Sequence, residues 1–575
     1  MRKLAFLSLF SCTTLAGFGQ IGAGNINGNV ESIFQYLNSD SLIGADQPAS
    51  KGLLNTYMNV FYTNGPFKAG IRMESYLPRI QGYPNRFDGT GLGMRYVGYA
   101  NDWIDATVGS FYEQFGTGIA LRAYEDRNLG YDNQLDGVRL IVRPVKGLTV
   151  KGVYGYQRLS FQEGKIVHAA GIVRGIDGEI NLNTTFTKLK DKRFNISLGG
   201  SFVSKYQVDD NDLLILPQNV ATYGGRAKFS YSFQKSVIVD GVKVVKPQGI
   251  LTFNGEYVQK EQDPSSDNGY IYNYGHAAVF NVGYSRKGLG ILFSAKSVDN
   301  MSSRSDRTKD LQDVLINFLP AMNKTHTYNL VATLYPYATQ PLGEIAYQTE
   351  ILYTIPKGTK LGGKYGTALN FNSSIALKPM QHTSGINPAD STGVIYVGRP
   401  FDSSDSLMWL DVNFNITKKI NKKFNLILSY FHIQLNNDIA KATNDAQGII
   451  KSHIGVLELG YKINAKHSIR AELQGMFLQR APNGNIMDKG NWATALIEYS
   501  VSPSWFLSVM NQYNYGNPNK ELRLNYPIVS AGFIKDATRF MVSYGRQRAG
   551  LFCVGGVCRF VPASNGLTLS FTQSF

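Results

Sequence analysis

The sequence lacks any long apolar run beyond its amino terminus. A transmembrane helix needs roughly 18 consecutive apolar residues, and no stretch of this chain approaches that length. The mean hydropathy of -0.17 is also too low for a helical membrane protein. Aromatic residues make up 12% of the 575 residues, which is too many for a disordered chain. Helical membrane proteins and disordered chains are therefore both excluded.

Motifs that carry catalysis or bind metals are also missing from the sequence. The seven histidines are scattered along the chain, and neither a Gly-x-Ser-x-Gly nucleophile elbow nor a paired-carboxylate motif stands out. Asp263, Asp267 and Asn268 resemble a fragment of a calcium-binding loop, but its closing glutamate is absent. A solvated turn is the favoured interpretation of that fragment. The sequence thus predicts no enzyme, no cofactor and no metal site.

The amino terminus has the pattern of a secretory signal peptide. Arg2 and Lys3 precede an apolar run over residues 4–10, and residues 17–19 offer a small-x-small cleavage site. This pattern predicts that residues 1–19 are removed and that the mature chain, residues 20–575, is exported. A lipoprotein cleavage site before Cys12 is the alternative, although the preceding residues fit that motif poorly.

The carboxy terminus indicates where the exported chain would go. Apolar and polar side chains alternate along residues 566–575, and the last residue is the aromatic Phe575. A period of two gives a strand one apolar and one polar face, as in a membrane strand between lipid and lumen. Outer-membrane barrels end in this way, so we expect the barrel-insertion machinery to recognise Phe575.

The same alternation recurs almost everywhere after residue 25. We predict an all-β fold, a large antiparallel transmembrane β-barrel of roughly 22–26 strands with no separate N-terminal plug domain. A secreted β-sandwich or propeller would show similar periodicity. Short and long connections alternate along the C-terminal half, which favours the barrel. The short ones lie near residues 418–422, 464–466, 501–503 and 535. The long ones lie near residues 378–405, 437–447, 481–488, 516–520 and 547–565.

One internal segment has helical rather than strand character. Within residues 310–319, Asp310 can cap a short helix whose apolar side chains share one face, and Pro320 ends it. Counting strands back from the C-terminus places this insertion on the periplasmic side, where long loops are unusual. We therefore expect either that it folds toward the lumen or that the strand count is wrong by one.

Two of the three cysteines remain in the mature chain. Cys553 and Cys558 bracket a Gly-Gly turn, which would make them opposite residues of a β-hairpin. Such residues approach closely enough for a disulfide, and an exported chain meets an oxidising compartment. A metal site is the alternative, but no histidine lies nearby. The loop lengths place this hairpin outside the cell.

The chain is strongly basic. Loss of Arg2 and Lys3 with the signal peptide would lower the formal net charge from +16 to +14. Nucleic acid is the usual partner of a basic protein, but an exported barrel would not meet it. Lysine and arginine would instead pair with the phosphates of outer-membrane lipid and glycolipid. An anion-preferring lumen is the alternative.

Charged residues concentrate on one face of the first candidate strands. Arg72, Glu74 and Tyr76 occupy every second position of one candidate strand and so lie on one face. Asp105 and Glu113 lie on the strand face opposite to the apolar residues around them. The following segment adds Arg122, Glu125, Arg127, Asp132 and Asp136. We predict that these ten residues form a lumenal polar cluster. It would either brace a wide barrel or form a site that selects a solute, and bracing is favoured.

Two stretches of the sequence resemble a known family. The first reads Val-Gly-Ser-Phe-Tyr-Glu-Gln-Phe-Gly-Thr-Gly at residues 108–118 and continues to residue 137; the second reads Cys-Val-Gly-Gly-Val-Cys-Arg at residues 553–559. Together with residues 64–76, they resemble a family of large, functionally uncharacterised outer-membrane proteins of the Bacteroidota. The resemblance implies a signal peptide, a barrel covering nearly the whole chain and an outer-membrane location. It implies no catalytic residues.

Two functions of different kinds follow from these inferences. A transport channel for a solute, with an occluded or gated polar lumen, would use the lumenal charges directly. A non-enzymatic binding or scaffold barrel in a cell-surface secretion or adhesion complex would use the long outer loops. The channel is the main prediction, and the occlusion follows because a barrel this wide would leak unless its lumen were filled. The identities of the solute and of any surface-protein partner stay open.

Overall fold

The computed structural model describes residues 20–21, 24–239, 242–386, 394–440, 448–480, 484, 487–554 and 557–575. Within these residues, 24 antiparallel strands form a closed β-barrel. The prediction of a large antiparallel barrel is therefore confirmed, and the strand number falls inside the predicted range. The predicted signal peptide, residues 1–19, lies outside the described residues.

The barrel strands are numbered here in chain order. The first twelve are β1 (Gly24–Asn38), β2 (Gly52–Asn64), β3 (Phe67–Tyr76), β4 (Gly89–Ala100), β5 (Ile104–Phe111), β6 (Leu135–Val145), β7 (Leu148–Gln162), β8 (Lys165–Asn181), β9 (Phe194–Tyr206), β10 (Asn219–Val239), β11 (Val242–Lys260) and β12 (Gly275–Arg286). The other twelve are β13 (Leu289–Asp299), β14 (Gly343–Ile355), β15 (Thr367–Ile386), β16 (Val394–Lys419), β17 (Phe424–Asn436), β18 (Ile449–Lys462), β19 (His467–Leu478), β20 (Trp492–Val501), β21 (Trp505–Tyr513), β22 (Asn525–Lys535), β23 (Thr538–Gln547) and β24 (Ser564–Ser574). Each strand pairs with the next, and β24 pairs with β1, where Leu569 lies opposite Phe34.

Helical structure is sparse in the described residues. The α-helices there are α1 (Leu182–Thr185), α2 (Asn329–Leu334) and α3 (Asn437–Ala440). Single 3-10 turns occur at Ser41–Ile43, Thr187–Leu189, Ser266–Asn268 and Lys520–Leu522. Across the part of the chain that the structure describes, every helix is too short or too polar to cross a membrane.

The two faces of the strands are inverted relative to a water-soluble protein. On β3, Ile71 is 47% exposed, whereas its neighbours Arg72 and Glu74 are 5% and 1% exposed. On β19, Leu473 is 53% exposed beside Glu472 at 5%. Burying charges while exposing large apolar side chains is unfavourable in water, but it suits a barrel with a lipid-facing exterior and a polar interior.

Connections are mostly short at one end of the barrel and long at the other. The C-terminus lies at the short-turn end, where the Gly28 N–H of β1 donates to the Phe575 carbonyl at 2.9 Å. The predicted short turns of the C-terminal half are confirmed. They are residues 420–423, 463–466, 502–504 and 536–537. The longest connections at the other end are residues 112–134, 300–342 and 548–563.

Residues 300–342, between β13 and β14, cross the barrel interior and are called the plug below. Near one wall, the Leu315 carbonyl accepts a hydrogen bond from Gln157 Nε2 of β7 at 2.8 Å. Near the other, the Leu330 N–H donates to Gln474 Oε1 of β19 at 3.0 Å. Strands β7 and β19 lie half-way round the ring from each other, so the plug spans the full width of the barrel.

The position of this insertion differs from the sequence-based expectation. It lies at the long-loop end of the barrel, opposite the end that holds the C-terminus. The strand count had placed it at the other end, on the periplasmic side. The count was wrong by one strand. Successive loops lie at alternate ends of a barrel. When strands are counted back from the C-terminus, missing one strand therefore assigns every earlier loop to the wrong end.

The helix predicted over residues 310–319 does not form. Leu311 and Val314 have φ values of 52° and 47°, and a right-handed helix cannot accommodate such left-handed residues. Arg304 fixes the turn instead, because its Nη1 and Nη2 bind the carbonyls of Asp313 and Leu311, both at 2.7 Å. The helix of the plug is α2, further along the chain.

A second segment fills the interior beside the plug. Residues 112–134, between β5 and β6, are called the inner loop below. The Ile316 carbonyl of the plug accepts from the Arg122 N–H at 2.8 Å, and the Phe318 N–H donates to the Gly118 carbonyl at 2.9 Å. The inner loop and the plug therefore form one body of backbone-bonded structure.

The disulfide hairpin, strands Gly550–Val554 and Val557–Val561, closes over the plug. Cys553 and Cys558 are opposite residues joined by a disulfide of 1.97 Å, as the sequence predicted. Both cysteines are half-buried, and Gln312 Nε2 of the plug donates to the Cys558 carbonyl at 3.3 Å. The side chains of Cys553 and Cys558 are therefore only partly open to solvent.

Candidate functional site

Six of the predicted polar residues meet in one buried cluster, called the central network below. Glu74 of β3 lies between two arginines, with Arg158 Nη2 2.7 Å from its Oε2 and Arg72 Nη1 3.6 Å from its Oε1. The Tyr76 hydroxyl also donates to Glu74 Oε2 at 2.8 Å. Arg158, on β7, is 2% exposed and was not among the predicted residues.

The inner loop supplies the other half of the central network. Arg72 donates to both carboxylate oxygens of Glu125, at 2.9 and 3.0 Å. Arg127 Nε lies 2.9 Å from Glu125 Oε1. Arg158 Nη1 lies 2.9 Å from Asp132 Oδ2. The network therefore fastens the inner loop to strands β3 and β7.

Every arginine of the central network is paired, since its three arginines face four carboxylates: the three named above and Glu31 of β1, whose Oε2 lies 2.6 Å from Arg127 Nη1. Each of these charged groups has an opposite charge within 4 Å. A buried ion pair adds little net stability, but removing one partner costs about 3–5 kcal/mol because a charge is left unpaired. The arrangement is chemically suited to bracing the inner loop against the wall, because each arginine in it is already paired with a carboxylate.

Asp105 and Glu113 lie in a second network nearer the short-turn end. Asp105 pairs with Lys68 at 2.8 Å and with Arg139 at 2.7 Å. Glu113 pairs with Lys151 at 2.7 Å and lies 3.7 Å from Arg139. The shared arginine links both carboxylates, so this network ties β3, β5, β6 and β7 together from inside.

Arg122 stands apart from both networks. Its guanidinium lies 4.3 Å from the ring centre of Tyr124 and 4.0 Å from that of Phe318. Cation–π contacts of this kind contribute about 0.5–2 kcal/mol. Arg122 thus joins the inner loop to the plug through an aromatic contact.

The lumenal placement of Asp136 was wrong. It pairs with Arg95 and His168, each at 3.0 Å. Asp136 shares the strand face of Val138, which is 46% exposed on the outside of the barrel. The lumenal prediction for Asp136 came from its closeness in sequence to the charged inner loop. It did not come from the alternation of strand faces.

Contacts that hold the plug were not predicted from the sequence. Lys296 of β13 and Glu344 of β14 form a fully buried ion pair of 2.6 Å, called the plug anchor below. Lys296 Nζ also donates to the Pro320 carbonyl at 2.7 Å, and the Tyr337 hydroxyl donates to Glu344 Oε2 at 2.8 Å. The inward parity of Lys296 and Glu344 was readable from the alternation, but their partners in the plug were not.

The fragment that resembled a calcium loop is occupied by the protein's own cations. Asp263 Oδ1 lies 2.6 Å from Lys205 Nζ, and Asp267 Oδ2 lies 3.3 Å from Arg304 Nη2. In the residues that the structure describes, no group of three His, Cys, Asp or Glu side chains is arranged to hold a metal ion.

A cavity of about 390 Å³ lies between α2, the disulfide hairpin and strands β21 to β23. Three arginines, Arg546, Arg548 and Arg559, line it, and no aspartate or glutamate of the described chain does. Arg546 Nε pairs with Asp40 at 2.6 Å. Within the described ranges, Arg548 and Arg559 have no carboxylate within 4 Å. This cavity therefore differs from the two networks in carrying excess positive charge.

The comparisons with known proteins give a family. The model of one family, described as "Family of unknown function (DUF6029)", matches residues 1–575. The chain belongs to this family. No curated protein matches this chain.

Several solved structures are similar to this chain, each at low identity and a low TM-score. The RagAB peptide importer in the closed-closed state is 9% identical, with a TM-score of 0.39 over 97% of this chain and 87% of that chain. The outer membrane transporter YddB from Escherichia coli is 7% identical, with a TM-score of 0.38 over 96% and 80% of the two chains. The outer membrane protein opdK from Pseudomonas aeruginosa is 11% identical, with a TM-score of 0.35 over 96% and 99%. These likenesses are too distant to bear on substrate or partner.

Proposed function

We propose that this chain is an outer-membrane barrel that transports a solute through a lumen closed by the plug. The observation that carries the proposal is the path of the plug from β7 to β19 across the interior. A ring of 24 strands, with a strand spacing of about 4.8 Å and a tilt of about 40°, has a diameter of about 48 Å. A pore of that width would leak, so the plug acts as its closure.

The plug's contacts with the wall support a closure that can move. The Leu330 N–H bonds Gln474, the His326 ring lies 2.7 Å from Asp411, and Lys324 Nζ donates to Asn370 at 2.7 Å. The bond between the neutral Leu330 and Gln474 groups contributes about 0.5–1.5 kcal/mol net and each bond to a charged group about 1.5–3 kcal/mol, because water can take the place of either partner. A lumen that fills with water can therefore replace them one by one.

The outer membrane is the proposed location. Buried charges and exposed apolar side chains on the same strands support it, as do the predicted signal peptide at residues 1–19 and the terminal Phe575. Outer-membrane lipid and glycolipid and the barrel-insertion machinery are the partners that this location implies. An origin in the Bacteroidota stays a prediction of the sequence resemblance, and the proposal includes no enzymatic activity.

The test is to remove the plug and record conductance in planar bilayers. Asp299 and Gly343 are paired across β13 and β14, so residues 301–341 can be replaced by a short Gly-Ser turn without breaking the barrel. We expect the intact protein to show low conductance and the plug-free variant to show a large steady one. Barrel diameter grows linearly with strand number, so the whole ring has roughly twice the cross-section of a 16-stranded porin, and the inner loop still occupies part of it in this variant.

A matched control replaces residues 516–523, in the outer connection between β21 and β22, with the same linker. Its conductance should equal that of the intact protein. A large steady conductance before any deletion would contradict occlusion by the plug. Silence of a folded plug-free variant would contradict transport and favour the scaffold alternative, for which affinity purification from native membranes should yield a stoichiometric partner.

A further inference from the structure

The cavity beside the plug is bounded by both the barrel wall and the plug. Strands β21 to β23 supply the wall side, while Asn329 and Thr333 belong to α2 of the plug. Leu551 and Phe552 of the disulfide hairpin form another side. A molecule held in this cavity therefore touches the wall and the closure at the same time.

The two arginines without a carboxylate have only neutral partners. Arg548 Nε donates to Gln512 Oε1 at 3.3 Å, and its Nη2 donates to the Thr333 hydroxyl of the plug. Arg559 Nη1 donates to the Gly82 carbonyl at 2.9 Å, and its Nε is buried without a hydrogen-bond partner in the described residues. Both guanidinium groups thus have unused capacity for a charge-assisted bond.

Burial increases the cost of leaving these charges without a counter-ion. It lowers the pKa of Arg548 to about 10 and lowers that of Arg559 as well. Both side chains still carry a positive charge at neutral pH. An anion in the cavity would recover part of the desolvation cost, whereas a neutral solute would not.

The remaining lining defines what kind of anion fits. Gln35, Gln81 and Gln512 offer amide groups, and Met510 and Ile528 offer apolar surface. A volume of about 390 Å³ lies in the usual range of small-molecule sites and is too small for a glycolipid. The lining therefore matches a small organic molecule with an anionic head and some apolar or polar body.

We infer that this cavity binds a small organic anion, a carboxylate or a phosphate ester, through Arg548 and Arg559. The inference deepens the proposed function, on which it rests, by naming the class of solute. The arginines bind the anionic group, and the glutamine and apolar side chains hold the rest of the molecule.

The test is calorimetric titration of the full-length protein in detergent. Succinate and glycerol 3-phosphate probe carboxylate and phosphate heads, and succinamide and glycerol are their neutral counterparts. We expect at least one anion to bind, and to bind about tenfold or more tightly than its neutral counterpart. Binding should weaken as salt is raised, because the attraction is partly screened.

Variants assign the binding to the cavity. Arg548→Gln and Arg559→Gln should each weaken the binding of the preferred anion about tenfold or more. Arg143→Gln removes one positive charge from an exposed position on β6 and should leave affinity unchanged. Heat-modifiability in electrophoresis shows which variants are folded, and the comparison of charged with neutral probes on the unaltered protein needs no variant.

The outcomes separate this inference from the proposed function. If neither anion binds better than its neutral counterpart while the plug-free barrel conducts, the anion site is wrong and transport stands. If an anion binds but the plug-free barrel is silent, the site stands and transport is wrong. Equal affinity in Arg143→Gln and both cavity variants would show that the anion binds elsewhere, which also overturns the assignment.

Discussion

Replacing Lys296 with methionine is expected to open the plug. Lys296 and Glu344 are fully buried under the plug, which contacts both through the Pro320 carbonyl and the Tyr337 hydroxyl. The substitution leaves the Glu344 carboxylate buried without its cation in the closed state. When the plug moves away, water reaches Glu344 and relieves this penalty. The cost therefore falls on the closed state and not on the open one.

The size of the effect follows from the burial of the pair. Removing one partner of a buried ion pair costs about 3–5 kcal/mol. Since about 1.4 kcal/mol is a factor of ten in an equilibrium constant, the ratio of open to closed barrels should rise by roughly 10² to 10⁴. A change of this size would turn a barrel that is almost always closed into one that opens measurably.

Single-channel open probability and hydrogen exchange of the plug amides measure this shift. Both should increase in Lys296→Met. Adding Glu344→Gln removes the unpaired charge and should restore most of the closure. Lys228→Met is the matched control, because Lys228 pairs with Glu179 at 3.0 Å in a partly exposed position of the wall, where an ion pair contributes only about 0–1 kcal/mol. Unchanged opening in Lys296→Met would refute the role of the plug anchor.

Two shorter predictions concern the C-terminal strand and the disulfide hairpin. Deleting Ser574 and Phe575, or replacing Phe575 with aspartate, should impair assembly, because the aromatic end is expected to be recognised during insertion; unchanged heat-modifiability would argue against this. Cys553 and Cys558 should react with a thiol reagent on intact cells only after reduction, and then slowly, because both are half-buried beside the plug. Labelling without reductant would refute the disulfide.

The barrel itself was predictable because strand alternation is a local signal. Arg72, Glu74 and Tyr76 were assigned to one face from their spacing alone, and the structure buries all three. The Cys553–Cys558 pairing needed only a Gly-Gly turn between them. These features depend on residues that are close in the sequence, where backbone geometry limits the possibilities.

The contents of the barrel were not predictable in the same way. Arg158 completes the central network from a position 84 residues beyond Glu74, and periodicity does not reveal such partners. Apolar spacing within residues 310–319 suggested a helix, yet Arg304 and two left-handed residues impose a turn. Such contacts depend on how segments that are distant in sequence pack against each other inside the ring. A local sequence pattern carries no information about that packing.

The pairing of β1 with β24 constrains the order in which the chain can assemble. These strands are the first and last of the ring, so the ring cannot close until the end of the chain is available. The plug and its partner Gln157 on β7 both precede β19 in the chain. The plug can therefore dock on the growing, still open sheet. The last strands would then wrap around an occupant already in place, which avoids threading it through a finished mouth.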